Sequence, residues 1–141
     1  MHLQSILLIE DEPDDRDLIL IAFKKQNIDN KIIVADSAAM ALDMLLGQGK
    51  YENQQISPIF ILIDIKMPLI NGTEFLRMIK SHDRIKNIPI IVFTSSIEEN
   101  DLLQSYDYGA NSFIHKPIDF IELTNVIGKI TDYWLRINQA P

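Results

Sequence analysis

Five short apolar runs punctuate the chain: Ile6–Ile9, Ile32–Ala35, residues 59–63, residues 90–93 and Ser112–His115. The first, third and fourth are almost wholly Ile, Leu, Val and Phe, with no polar alternation. Runs of this kind predict strands buried on both faces, and hence a parallel sheet sheathed by helices. Stretches with helical spacing lie between them. Residues 14–26 carry Leu18, Ile21 and Ala22 in register, with acids in the first turn. Residues 37–46 open on the capping residue Ser37 and stop before Gly47, and residues 73–80 follow Asn71-Gly72. Residues 96–108 pair Ser96 with Glu99, and residues 119–137 pair Asp119 with Glu122; both pairs read as capping boxes. Strand and helix alternate five times, which predicts the α/β class with a doubly wound sheet. The polar stretch 47–58 reads as a surface loop, because a boundary there would leave neither half with a complete core.

Length adds a bound. The chain has 141 residues, the size of one domain, expected to span 1–141 with its core within 5–137 and no output domain beyond. At this size it can bury a core without disulfide or metal. The absence of cysteine excludes thiol catalysis, Cys-ligated zinc and iron–sulfur clusters. A formal net charge of −7, with Lys and Arg scattered, argues against direct DNA binding. No apolar run approaches the ~20 residues of a membrane span. No basic leader or cleavage site precedes the first run, so a cytoplasmic location away from membranes is expected.

Ligands of a sheet like this sit outside the carboxyl ends of its strands. Run one ends in Glu10-Asp11, run three in Asp64, run four in Thr94-Ser95 and run five in Lys116-Pro117. Run two ends in Asp36-Ser37, a helix-cap pattern. Three acids, a hydroxyl and an amine are therefore expected on one rim. Crowded carboxylates raise one another's pKa unless a cation joins them, and Mg²⁺ suits an all-oxygen site that also takes a phosphate. An Asp carboxylate can attack phosphorus, with Lys116 as a compact positive charge and Thr94 as a hydroxyl donor. Any one of these residues alone is more often a cap, a turn or a solvated acid; four strand ends carrying a phosphate–Mg²⁺ group set are not.

In these segments the sequence resembles the response-regulator receiver domains of two-component signalling. They are Ile6-Leu7-Leu8-Ile9-Glu10-Asp11, Ile63-Asp64-Ile65-Lys66-Met67-Pro68 with Asn71-Gly72, Val92-Phe93-Thr94-Ser95, and the run from Gly109 through Phe113 to Lys116-Pro117. The resemblance implies a flavodoxin-like receiver fold, a five-stranded parallel sheet of order 2-1-3-4-5 with five helices. It implies Asp64 as the phosphorylation site, with Thr94 and Lys116 holding the phosphoryl oxygens. It implies Mg²⁺ as cofactor, bound by Glu10 (mostly through water), Asp11, Asp64 and the backbone carbonyl of Lys66. Thr94 and Phe113 stand at the family's switch positions, Phe113 lacking the hydroxyl of the more usual Tyr. The Lys116-Pro117 bond is commonly cis in the family. Lys66 and Ser96, two residues beyond Asp64 and Thr94, occupy positions that tune loss of the phosphoryl group.

The implied partner is a sensor histidine kinase, and Asp132-Tyr133-Trp134-Leu135 with the 47–58 loop points to the phytochrome type. The implied output is a phosphorylation-dependent change of the fourth helix, fifth strand and last helix, with that face as a homodimer or partner seam. In the last helix, residues 120, 123, 127, 130, 134 and 137 form the expected core stripe; Ile121 and Leu135 fall off it and Tyr133 lies at its edge. The protein is expected to catalyse only its own phosphorylation and dephosphorylation. A haloacid-dehalogenase phosphatase would need a second Asp where Lys66 stands. A flavodoxin would need a hydroxyl- and glycine-rich loop where residues 10–15 are acidic. A pseudo-receiver would lack part of the acid, acceptor and lysine set. His2 and His82 read as solvated, and His115 as sharing an outward strand face with Phe113.

Overall fold

The structure is a computed structural model that describes residues 3–67 and 70–140; the expectations for His2 and Pro68 fall outside them. Five strands form, β1 (Ile6–Ile9), β2 (Ile32–Ala35), β3 (Phe60–Ile63), β4 (Ile90–Thr94) and β5 (Ser112–His115). All adjacent pairs are parallel, in the order β2-β1-β3-β4-β5. β1, β3 and β4 are buried at every position, as their unbroken apolar runs require.

The helices are α1 (Pro13–Lys24), α2 (Ala38–Leu46), α3 (Gly72–Lys80), α4 (Glu99–Asp107) and α5 (Phe120–Asp132). Alternate side chains of the strands feed two cores. Leu7, Ile9, Ile61, Ile63, Ile90 and Val92 meet α2 and α3 on one face. Ile6, Leu8, Phe60, Leu62, Ile91 and Phe93 meet α1 and α5 on the other. Gln26, just after α1, ties that second layer together by donating to the carbonyls of Ala22 and Thr124 at 3.1 Å each.

Local chemistry sets the helix starts. Ser37, Asn71 and Asp119 cap α2, α3 and α5 by accepting from the amides of Met40, Glu74 and Glu122. Pro13 occupies the first position of α1 and Glu12 caps it, accepting from Asp14 and Asp15. Three expectations are corrected here. The core face of α1 is Ile19, Ala22 and Phe23, whereas Leu18 and Ile21 are exposed; the apolar spacing allowed two stripes one residue apart, and the sheet takes the second. α4 starts at Glu99 and not at Ser96, because the Ser96 hydroxyl donates to the Asp101 carboxylate within α4 and accepts only the Glu98 amide. The last helix passes at Tyr133–Ile137 into a π turn, closed by the Asn138 amide on the Tyr133 carbonyl. A π turn takes in an extra residue, so the stripe slips: Leu135 packs beside Trp134 against the core and Ile137 is exposed. The 47–58 loop carries only a short 3₁₀ turn, Gly49–Tyr51.

Candidate functional site

β1, β3 and β4 lie side by side, so the residues that leave their carboxyl ends are neighbours. Lys116 arrives from the end of β5 and reaches back across them. Its ammonium donates to Asp64 Oδ2 at 3.1 Å, Glu10 Oε2 at 3.2 Å and Asp15 Oδ2 at 3.3 Å. The other Asp64 oxygen, Oδ1, accepts from the Thr94 hydroxyl at 2.8 Å and from the Lys66 amide at 3.0 Å. Glu10 Oε1 accepts from the Glu12 amide at 3.2 Å. Glu10, Asp64, Thr94 and Lys116 are all buried. Every polar side-chain atom buried among the described residues has a partner, so the site is pre-formed.

Burial raises the pKa of Glu10, and the Asp64 carboxylate pushes it the same way while Lys116 pulls against both. For Lys116, burial pulls downward, but Asp64, Glu10 and Asp15 together outweigh it and the net direction is up. Lys116 is thus a firmly held cation.

Of the residues expected from sequence, Glu10, Asp64, Thr94 and Lys116 come together through direct contacts. Asp11 is half-buried beside Glu10. Lys66 contributes its amide, and its side chain turns away to Asp101 at 3.0 Å. Phe113 is half-buried against the α2–α3 core, on the face of the sheet that also carries Thr94. His115 and His82 are exposed. The Lys116–Pro117 bond is trans, no cis peptide bond occurring among the described residues, which corrects the expectation for that pair. The trans form is favoured by ~0.5–1 kcal/mol for such bonds, and from it the Lys116 ammonium already meets three carboxylates. Asp15 escaped the sequence reading because it passed as one of the acids of a helix first turn; its place in the first turn of α1, just after the Glu10 end of β1, was the available signal.

Among the described residues no three acids or histidines stand converged as a ready coordination cluster. The donor chemistry nevertheless fits a hard divalent cation. Three carboxylates share one ammonium, and a half-buried Asp11 follows Glu10 in the chain.

A parallel sheet of this order, with an acid on its central strand held by a lysine and a threonine, defines a receiver domain. The family model for the response regulator receiver domain matches residues 6–128, and the chain belongs to that family, the receiving module of two-component systems. Among curated relatives it is 34% identical over 96% of its length to the probable methanogenesis regulatory protein FilR2 of Methanothrix harundinacea, covering 86% of that protein. It is 33% identical to response regulator Rcp1 of Synechocystis, over 96% of this chain and 92% of that one. The crystal structure of the phosphorylated cyanobacterial phytochrome response regulator RcpA superposes with a TM-score of 0.92 at 31% identity, covering 99% of both chains. The Mn²⁺-bound form of Rcp1 gives 0.90 at 32%, again over 99% of both. No helix among the described residues is long and apolar enough to cross a membrane.

Proposed function

We propose that Asp64 accepts a phosphoryl group from a sensor histidine kinase, in a Mg²⁺-dependent reaction, and that the modified protein signals through the α4-β5-α5 surface. One observation carries the reading: the Asp64 carboxylate is buried at the end of the central strand with Lys116 on one oxygen and Thr94 on the other. An oxygen of Asp64 attacks phosphorus, the P–N bond to the donor imidazole breaks, and the carboxylate becomes an acyl phosphate. Lys116 and Thr94 then exchange their carboxylate contacts for phosphoryl oxygens. Glu10, Asp11, Asp64 and the Lys66 carbonyl would hold Mg²⁺. When bound, the ion neutralises charge on the transferring oxygens. A phytochrome-type kinase is the favoured donor, from the likeness to RcpA. The single domain acts in the cytoplasm, without DNA binding.

Output follows from Thr94. Once its hydroxyl turns to the phosphoryl group, Phe113 can take up the space behind it, and the loop into α4 repacks. The face concerned presents exposed Leu103, Tyr106, Ile121 and Tyr133, which suits a homodimer or partner seam.

The test is labelling by acetyl phosphate in a phosphate-affinity gel. Wild-type protein should take label with Mg²⁺ and none with a chelator. Asp64→Asn should take none while keeping its circular dichroism. Undiminished labelling of Asp64→Asn would remove the acceptor assignment.

A further inference from the structure

The Asp64 site is joined to α4 by a closed ring of hydrogen bonds that the acceptor chemistry does not require. Asp64 Oδ1 takes the Thr94 hydroxyl and the Lys66 amide. Thr94 Oγ1 in turn accepts from the Ser96 amide at 3.2 Å. The Ser96 hydroxyl donates to Asp101 Oδ2, and the same oxygen takes the Lys66 ammonium at 3.0 Å. Ser96 Oγ also accepts the Glu98 amide at 3.3 Å, at the very start of α4. Five residues from the ends of two strands and the first turn of a helix thus close on one carboxylate.

Asp101 is built for this place. It is the third residue of α4, where a negative charge is favoured by the helix N-terminus. Its side chain is only 13% exposed although it is an aspartate on a surface helix. Its carbonyl accepts the buried Ser105 hydroxyl at 2.7 Å, which fixes the turn that carries it. The Ser96 hydroxyl, and after it Lys66, hold its pKa down, so it is ionised at neutral pH.

Lys66 has a long flexible stem and two claimants for its charge. In the unmodified protein Asp101 holds it. A phosphoryl group on Asp64, two residues away, carries on the order of two negative charges where the carboxylate carried one, and competes for the ammonium while Thr94 leaves the ring from the other side. We propose that Asp101 is a positioning residue that latches Lys66 and the first turn of α4 in the unmodified state, and that a phosphoryl group opens the latch by drawing Lys66 and Thr94 to itself. The inference rests on Asp64 being the acceptor and adds the link by which its state reaches α4.

The experiment is a double-mutant cycle at ~0.15 M salt on the full chain: wild type, Asp101→Asn, Lys66→Met and the double variant. The rate of labelling by acetyl phosphate and the exchange of the amides of residues 98–102 are both followed. Asp101→Asn should label about two- to five-fold faster, the range an ion pair this exposed commands, because Lys66 is released toward the incoming anion. Without Lys66 the same substitution should change the rate less than ~1.5-fold, and Asp101→Glu should restore the slower rate. The amides at the start of α4 should exchange faster in Asp101→Asn and in Lys66→Met, with no further gain in the double variant. Labelling unchanged or slower in Asp101→Asn, or an equal effect with and without Lys66, overturns the latch. Label retained in Asp64→Asn, or none in wild type, refutes the acceptor instead; the exchange cycle still decides whether the pair holds α4, and additive exchange effects count against it.

Discussion

A methyl group added at Gly72 offers a sharp test of how the fold holds Asp64. Gly72 is the first residue of α3, and its amide donates to the Ile65 carbonyl at 3.1 Å. Its backbone angles are open to any residue, so space alone decides. A Cβ there would stand 2.4 Å from Ile65 Cα, 2.8 Å from Ile65 Cγ2 and 3.0 Å from the Asp64 carbonyl. Carbon atoms rest at ~3.5–4.0 Å, so the start of α3 must retreat by about 1 Å from the strand exit. Two of the three clashing atoms are backbone and cannot rotate away. Overpacking of this severity costs about 2–3 kcal/mol, or roughly 6–10 °C in Tm for a chain of this size. Ile65 lies between Asp64 and Lys66, so the same shift misaligns Asp64, the proposed acceptor. Gly72→Ala should therefore lose Tm in calorimetry and label with acetyl phosphate at least ~10-fold more slowly, since small misplacements of reacting groups are costly. Gly128→Ala is the control. There the added methyl meets only the Gln26 side-chain amide, at 3.0 Å, and a mid-helix glycine replaced by alanine gains up to ~1 kcal/mol of helix propensity. Its Tm should hold or rise and its labelling should not change. A Gly72→Ala protein within 2 °C of wild type that labels normally would refute the packing argument.

Three further outcomes follow from the site. Burial raises the pKa of Glu10, so the folded state holds that proton to higher pH than the unfolded chain does, and stability falls as pH rises from the ordinary glutamate value through the raised one. Glu10→Gln should match wild type near pH 4 and melt higher near pH 8 in metal-free buffer; equal melting at both would show that Lys116 fully compensates the buried charge. Thr94→Ala removes one of the two side-chain bonds to Asp64 and should still label, yet its sedimentation or partner binding should respond less to a beryllofluoride mimic; a full response would take Thr94 out of the switch. Tyr106→Glu and Ile121→Glu alter exposed residues, so Tm should stay within ~2 °C of wild type while any mimic-driven association is lost; association unchanged in both would move the output face elsewhere.

Strand positions were legible to within a residue because a buried parallel strand has one sequence signature, a short unbroken β-branched run. The rim of charged residues was legible for the same reason: whatever follows such a run must stand at the sheet's edge. Spacing failed where the chain offers one residue two uses. Ser96 looks like a cap, but its hydroxyl serves Asp101 instead, and α4 starts three residues later. Leu135 and Ile137 exchanged places because a π turn has no marker in apolar periodicity. Asp15 and Asp101 joined the network from helix first turns, where acids are common for reasons of dipole alone. Only the tertiary path of Lys116 and Lys66 shows that these two are bonded.

The bond from Lys116 to Glu10 spans 106 positions of sequence. A ribosome that has made β1 to β4 has exposed Glu10, Asp64 and Thr94, yet has not supplied the cation that holds them. With synthesis at ~5–20 residues per second, the stretch from Thr94 to Lys116 takes roughly one to four seconds to make, and through it the acids of the rim lack that cation. Until Lys116 is made, the rim has the Thr94 hydroxyl but lacks the ammonium. The cation that neutralises the rim is therefore the last of its parts to be made.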